Sequence, residues 1–306
     1  MAPRAVSSKT ASASTGDARL KRADLVSLIA LGAIWGSSYL FIRIIVPVVG
    51  PWGMVAPRML GAGLLLLAYA RYRGVPWGEW RFWKHYLWLA FLTSFLAQYL
   101  IATAALTLNS PTLAILNTTM AMFAALLSVW VLGDRLGPRR VLGLTLGVAG
   151  VGLVVGFAPV VFSPVVLLAH AAALLAALCG AYGTVFAARY LRSRPSLELA
   201  AVQSLFAGIM AMPMGVPVLA QAWPLSTKVV LSLVALSVLS TALANLLYYR
   251  LMKRTSPTIS MSVTYLIPCF SLLWGWLFLD ETISLLQMGG FAVVLVAVAL
   301  VAGRGR

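Results

Sequence analysis

Seven carboxylates are spread over 306 residues, and each stands in the N-terminal tail or at the end of an apolar run: Asp17, Asp24, Glu79, Asp134, Glu198, Asp280 and Glu281. None lies mid-run, where a proton-coupled pump of cationic drugs would hold both its proton site and its cation partner. No lysine is buried mid-run either, which argues against a dedicated sugar-phosphate or nucleotide-sugar exchanger. Two histidines, no HExxH, no paired carboxylates and two separated cysteines leave little from which to build a catalytic or metal site. An integral-membrane enzyme is therefore a poor reading, and no cofactor is expected. Cys179 and Cys269 read as packing residues, His170 as a hydrogen-bonded packing histidine and His85 as a helix-start residue. The remaining chemistry is recognition without bond-making, and a neutral or zwitterionic substrate fits it best.

Polar residues at helical spacing sketch where recognition would occur. Trp35, Ser38 and Tyr39 fall at i, i+3, i+4. Ser94 and Gln98, with Tyr99 adjacent, mark a second stripe, and Asn117 with Thr118 a third. Tyr182 follows, then Ser237, Thr241, Asn245 and Tyr248, then Ser260, Thr264 and Tyr265. Such stripes either line a cavity or join helices by hydrogen bonds of ~0.6 kcal/mol each. Primary amides are costly in lipid, which favours lining roles for Gln98, Asn117 and Asn245, and Tyr99 combines a ring with a donor. The expected substrate-binding set is Trp35, Ser38, Tyr39, Gln98, Tyr99, Asn117, Thr118, Tyr182, Asn245, Tyr248, Thr264 and Tyr265, with rings able to stack on a planar solute. Two cations, Arg43 and Arg58, enter apolar runs toward the external side. They either snorkel to the headgroups or attract a departing carboxylate. Pro268, mid-run, frees the carbonyl four residues back and is expected to kink its helix as a gating hinge.

These side chains need helices to hold them. With 61% apolar and 10% charged residues, the chain cannot be a soluble domain. Each bilayer crossing takes ~20 apolar residues as helix. Spans are expected near 24–46, 51–71, 85–106, 110–132, 138–157, 165–191, 197–218, 228–251, 256–279 and 284–302, separated by short loops rich in Pro and Gly. Every Lys and Arg except Arg43, Arg58 and Lys228 falls in the tails or in alternate loops on one side. The formal charge of +16 therefore reflects the positive-inside rule and not nucleic acid binding, and both termini are expected in the cytoplasm.

One stretch is duplicated. Ser110, Pro111, Thr112, Thr118, Leu126, Leu127, Trp130 and Asp134 all recur, as the same residue types, 146 positions later. Because the two copies start on opposite sides of the membrane, the expected fold is an all-α integral membrane protein of ten transmembrane helices, arranged as two inverted-topology five-helix repeats. The expected divisions are a disordered tail 1–23, a first unit 24–157, an external linker 158–164, a second unit 165–302 and a C-terminus 303–306. Gly143, Gly147 and Gly150, with Gly289 and Gly290, are expected to bring the fifth and tenth helices close together.

The stretch Tyr248 to Glu281, with Tyr249, Leu251, Ser256-Pro257-Thr258, Pro268 and Leu279-Asp280-Glu281, resembles the second EamA-type unit of the drug/metabolite transporter superfamily. Gln287 and Gly289 fit the same pattern, and Ile34-Trp35-Gly36-Ser37-Ser38-Tyr39 resembles the family's opening helix. Two departures are visible: Met122 stands where the second unit has Pro268, and Arg135 replaces the usual acid of the first unit. The resemblance extends over about 24–302 and is greatest to YddG-type exporters of aromatic amino acids. It implies a bacterial inner-membrane secondary transporter that alternates access around a central cavity, with a small-molecule substrate, lipid as its solvent and a monomer favoured. A multidrug exporter of flat cationic compounds is the rival within transporters. A non-transporting scaffold is the rival outside them.

Overall fold

A computed structural model describes residues 22–75, 80–108, 110–155, 163–279 and 285–302. Most of the tail, the linker 158–162, the C-terminus and the acids Asp17, Glu79, Asp280 and Glu281 lie outside these residues. Helix α1 runs Arg22–Tyr72 and α2 Trp83–Ala104; α3 is Ser110–Leu132 and α4 Pro138–Val155. Helix α5 is Pro164–Tyr190, α6 Ser196–Ala222 and α7 Thr227–Arg254. The short α8, Pro257–Met261, leads into α9, Val263–Leu279, and α10 is Leu285–Ala302. The described residues are all helix, turn and loop, with no strand.

Seven helical stretches are long and apolar enough to cross a bilayer, and Leu116–Leu132 and Met288–Val301 are shorter apolar helices. Large apolar side chains such as Trp130, Leu167, Leu168 and Leu285 face outward, where lipid and not water would meet them. This is a multi-pass membrane protein.

Local sequence sets the boundaries. Ser163, Ser226 and Ser256 each cap a helix by accepting the backbone N–H three residues on, and Pro164 and Pro257 stand at first-turn positions. The expected Pro47–Pro51 loop is instead a break inside α1: only Gly50 leaves helical dihedrals, at φ 65°, a conformation glycine adopts without a Cβ penalty. Helix α6 continues through Pro213 and Pro217 to Ala222, beyond the expected end at 218. The ninth expected span is interrupted at Ser262, between α8 and α9, while α9 runs on around Pro268.

Small residues set the packing. An added Cβ at Gly63 would stand 2.6 Å from the backbone of Leu205, and one at Gly208 would stand 2.5 Å from the Leu60 nitrogen. Both pairs join α1 to α6, and 60 and 205 are separated by the same 145 positions as 63 and 208. Gly143 and Gly150 bring α4 against Ala297, Val301, Val293 and Val294 of α10, the close approach expected for these helices. Gly147 instead receives the ring of Tyr265, and Gly289 has open space around it.

Candidate substrate cavity

Two helices depart from regular geometry at their centres. Within α2, Phe91–Leu96 forms one π-helical turn, and within α7, Val238–Leu243 forms another. The two turns lie 147 positions apart. A π turn widens the backbone and releases carbonyls from the regular ladder, and such turns concentrate at functional sites. Here the released groups find partners: Thr241 Oγ1 donates to the Leu236 carbonyl five residues back, and the Trp35 indole donates to the Ser240 carbonyl at 3.2 Å.

Both turns open onto one cavity of about 120 Å³. Thr93 and Ser94 enter from the first turn and Ser240 and Thr241 from the second. Gln98 and Asn245 stand beyond the respective turns, also 147 positions apart. Trp35, Tyr248 and Tyr249 form an aromatic wall, with the Trp35 and Tyr248 rings 5.6 Å apart. Met59, Met120 and Met261 add polarizable, adaptable surface. Among the described residues no carboxylate lines it.

The polar wall is held by reciprocal hydrogen bonds. Arg58 of α1, only 5% exposed, donates from Nε to Thr241 Oγ1 and from Nη1 to Gln98 Oε1, both at 2.8 Å. Gln203 of α6 donates from Nε2 to Ser94 Oγ and, at 2.7 Å, to Thr93 Oγ1, and accepts from the Tyr249 hydroxyl. Positions 58 and 203 are separated by the 145 that relates Gly63 to Gly208, and positions 94 and 241 by the 147 that relates the two π turns. Tyr248 donates to Thr184 Oγ1 at 2.8 Å, and Asn245 reaches Ser204 at 3.4 Å.

Of the expected binding set, Trp35, Gln98, Asn245 and Tyr248 meet in this cavity. Arg58, expected toward the external side either as a snorkelling residue or as an anion contact, lines it as well, held by Thr241 of α7 and Gln98 of α2. The side chain of Arg43 lies outside the described residues. The other expected residues stand off the cavity, each for a visible reason. Tyr99 stacks on Trp52 at 3.9 Å, and Ser38 bonds back to the Ile34 carbonyl. Tyr39 is buried among Ala104, Leu108, Ile267 and their neighbours. Thr118 is fully buried, and Asn117 is partly exposed without a place in the lining. Tyr182 is 37% exposed and stacks on Phe186. Thr264 donates to the Met261 carbonyl. Tyr265, 0% exposed, lies against Gly147 and donates to the Leu144 carbonyl at 3.3 Å, so it joins α9 to α4. Pro268 is buried in α9 away from the lining. Gln203, Thr184, Tyr249 and the paired hydroxyls Thr93 and Ser240 were absent from the expected set.

A second polar cluster lies at the basic end of the bundle. Glu198 is 0% exposed at the third residue of α6; it accepts from the Tyr86 hydroxyl and pairs with Arg194 through both oxygens at 3.1 Å. Lys253 of α7 donates to the Arg194 carbonyl, and Arg254 pairs with the buried Asp24 at 3.6 Å. Among the described residues two carboxylates, Glu198 and Asp24, are therefore buried, and both are paired near a helix start.

A family model described as EamA-like transporter family matches twice, over residues 24–156 and 167–303. The chain belongs to the EamA-like transporter family. Family relatives include a WAT1-related chloroplastic protein of Arabidopsis thaliana, 31% identical over 87% of this chain and 66% of its own length. This chain therefore spans a little under two thirds of that protein. An uncharacterized transporter of Synechocystis is 24% identical, over 90% of this chain and 88% of its own. The uncharacterized inner membrane transporter YedA of Escherichia coli K12 is 26% identical, over 90% and 89%. A solved crystal structure superposes with a TM-score of 0.75 over 91% of this chain and 97% of the other, at 20% identity, which speaks to the shared fold alone.

Proposed function

We propose that this family member is a secondary transporter that exports aromatic or other large neutral amino acids and related metabolites across the bacterial inner membrane. The observation that carries this reading is the cavity itself. Trp35, Tyr248 and Tyr249 offer ring faces to a planar side chain, beside neutral amides and hydroxyls that can orient a polar head. Ser240 and Thr241 fall at the centre of α7 and Ser94 at the centre of α2, near the depth where transporter sites between inverted repeats lie.

Ten spans as two inverted five-helix units, both termini cytoplasmic, complete the architecture. The doubled family match, the reciprocal glycine contacts and the paired π turns all favour it. Alternating access then exchanges the closed basic end, tied by Glu198, Arg194 and Tyr86, for closure at the opposite end. With no carboxylate among the described residues of the cavity wall, transport is facilitated or loosely coupled. Purified protein in liposomes equilibrates labelled tryptophan without a pH gradient; strict dependence on an imposed proton gradient overturns the loose coupling. The rival export of flat cations is disfavoured by Arg58, which puts a positive charge where a cation would have to sit.

A further inference from the structure

We infer that Arg58 is the anchor for a carboxylate, and that the transported species is recognised as an organic anion with one carboxylate and a flat apolar body. The inference rests on reading the cavity as the transport site and deepens it by naming which charge is read.

Arg58 is buried, and its hydrogen-bond partners, Thr241 and Gln98, are both neutral. Among the described residues no acid pairs with it. A guanidinium carries five N–H donors, and these two bonds use two of them. An ion in this setting is normally neutralised by a partner, and an ionisable residue within a membrane span marks a function by default. The remaining donors can take both oxygens of a carboxylate in a fork.

The reciprocal position shows what structure alone would require. Gln203 stands to Ser94 as Arg58 stands to Thr241, and it meets the same need, a donor to a hydroxyl in a π turn, without a charge. The charge at position 58 is thus an addition to the shared scaffold. On the opposite sign, the described lining of Trp35, Thr184, Asn245, Tyr248 and their neighbours has no carboxylate to receive an ammonium. An amino group on the substrate is therefore tolerated and not read.

Three probes of one ring size separate the charges: 3-phenylpropionate (anion only), phenylalanine (both) and phenethylamine (cation only). Thermal-shift titration of the purified full-length protein should show binding of the first two and none of the third. Arg58→Gln should weaken the carboxylates about ten- to a hundredfold, while the unliganded variant melts at or above the parent temperature. Phenethylamine binding as well as 3-phenylpropionate, or carboxylate affinity unchanged in Arg58→Gln, overturns the inference. So does a lowered melting temperature with unchanged ligand response, the mark of a purely structural arginine. If Arg58→Gln does not fold, Arg58→Lys carries the same test: it keeps the charge but not the fork, and undiminished carboxylate affinity there overturns the inference. Carboxylate binding through Arg58 with no movement of any probe across liposomes would leave the anchor standing and refute the transport reading.

Discussion

Gly208 of α6 lies so close to Leu60 of α1 that a methyl group there would stand 2.5 Å from the Leu60 backbone nitrogen. Backbone cannot swing aside as a side chain can, so the two helices must separate. Gly208→Ala and the reciprocal Gly63→Ala should each cost about 1–3 kcal/mol by overpacking. Gly152 in α4 has open space around it, and its alanine variant should gain up to about 1 kcal/mol from helix propensity. Thermal unfolding in detergent reads all three, and equal effects at Gly208 and Gly152 would contradict the packing.

Glu198 binds Tyr86 and Arg194 at a site closed to solvent. Glu198→Gln removes the carboxylate that Arg194 pairs with and should destabilise by about 3–5 kcal/mol. Combining it with Arg194→Gln should recover part of that loss. An additive double variant in chemical denaturation would mean that the two residues do not act as a pair.

Tyr265 and Tyr248 are both buried tyrosines, but only Tyr248 lines the cavity. Tyr265→Phe removes one hydrogen bond to α4 and should cost about 0.5–1.5 kcal/mol of stability with transport rate unchanged. Tyr248→Phe releases Thr184 in the cavity wall and should lower transport. Labelled-substrate uptake by proteoliposomes separates the two, and the reverse pattern would move the site toward α9.

Asp134, in the loop between α3 and α4, has its carboxyl pKa raised by burial, with Arg140 and Arg192 opposing the shift. A folded-state value above the unfolded one means that stability falls as pH rises through the raised range. Asp134→Asn should thus match the parent at acidic pH and melt higher at neutral pH. A variant that melts lower at neutral pH would show that the two arginines outweigh the burial.

The all-α membrane character was legible because the length and apolarity of a helix can be read without knowing how it packs. The site was harder to read. Stripes drawn with a period of 3.6 do find Ser94 with Gln98 and Thr241 with Asn245 and Tyr248, but they do not separate adjacent residues. On α2 Gln98 reaches Arg58, while its neighbour Tyr99, roughly 100° around the helix, stacks on Trp52. Arg58 was visible as an intramembrane cation, yet its place depends on Thr241 of α7 and Gln98 of α2, which its own helix does not encode. Tyr265 carried the signs of a ligand contact, a ring and a donor on a polar stripe, but glycine at 147 leaves room for it elsewhere. No single helix could have shown that vacancy.

The two π turns also make the chain sensitive to length in a way that point substitutions cannot reach. Each turn holds one residue more than a regular helix would use over the same rise. Deleting a single residue within 91–96 would let α2 close into an unbroken ladder and would swivel one half of the helix against the other by about 100°. Tyr86 and Gln98 lie on opposite sides of that turn, the one bound to Glu198 and the other to Arg58. After such a deletion, α2 could satisfy one end of the molecule or its centre, but not both.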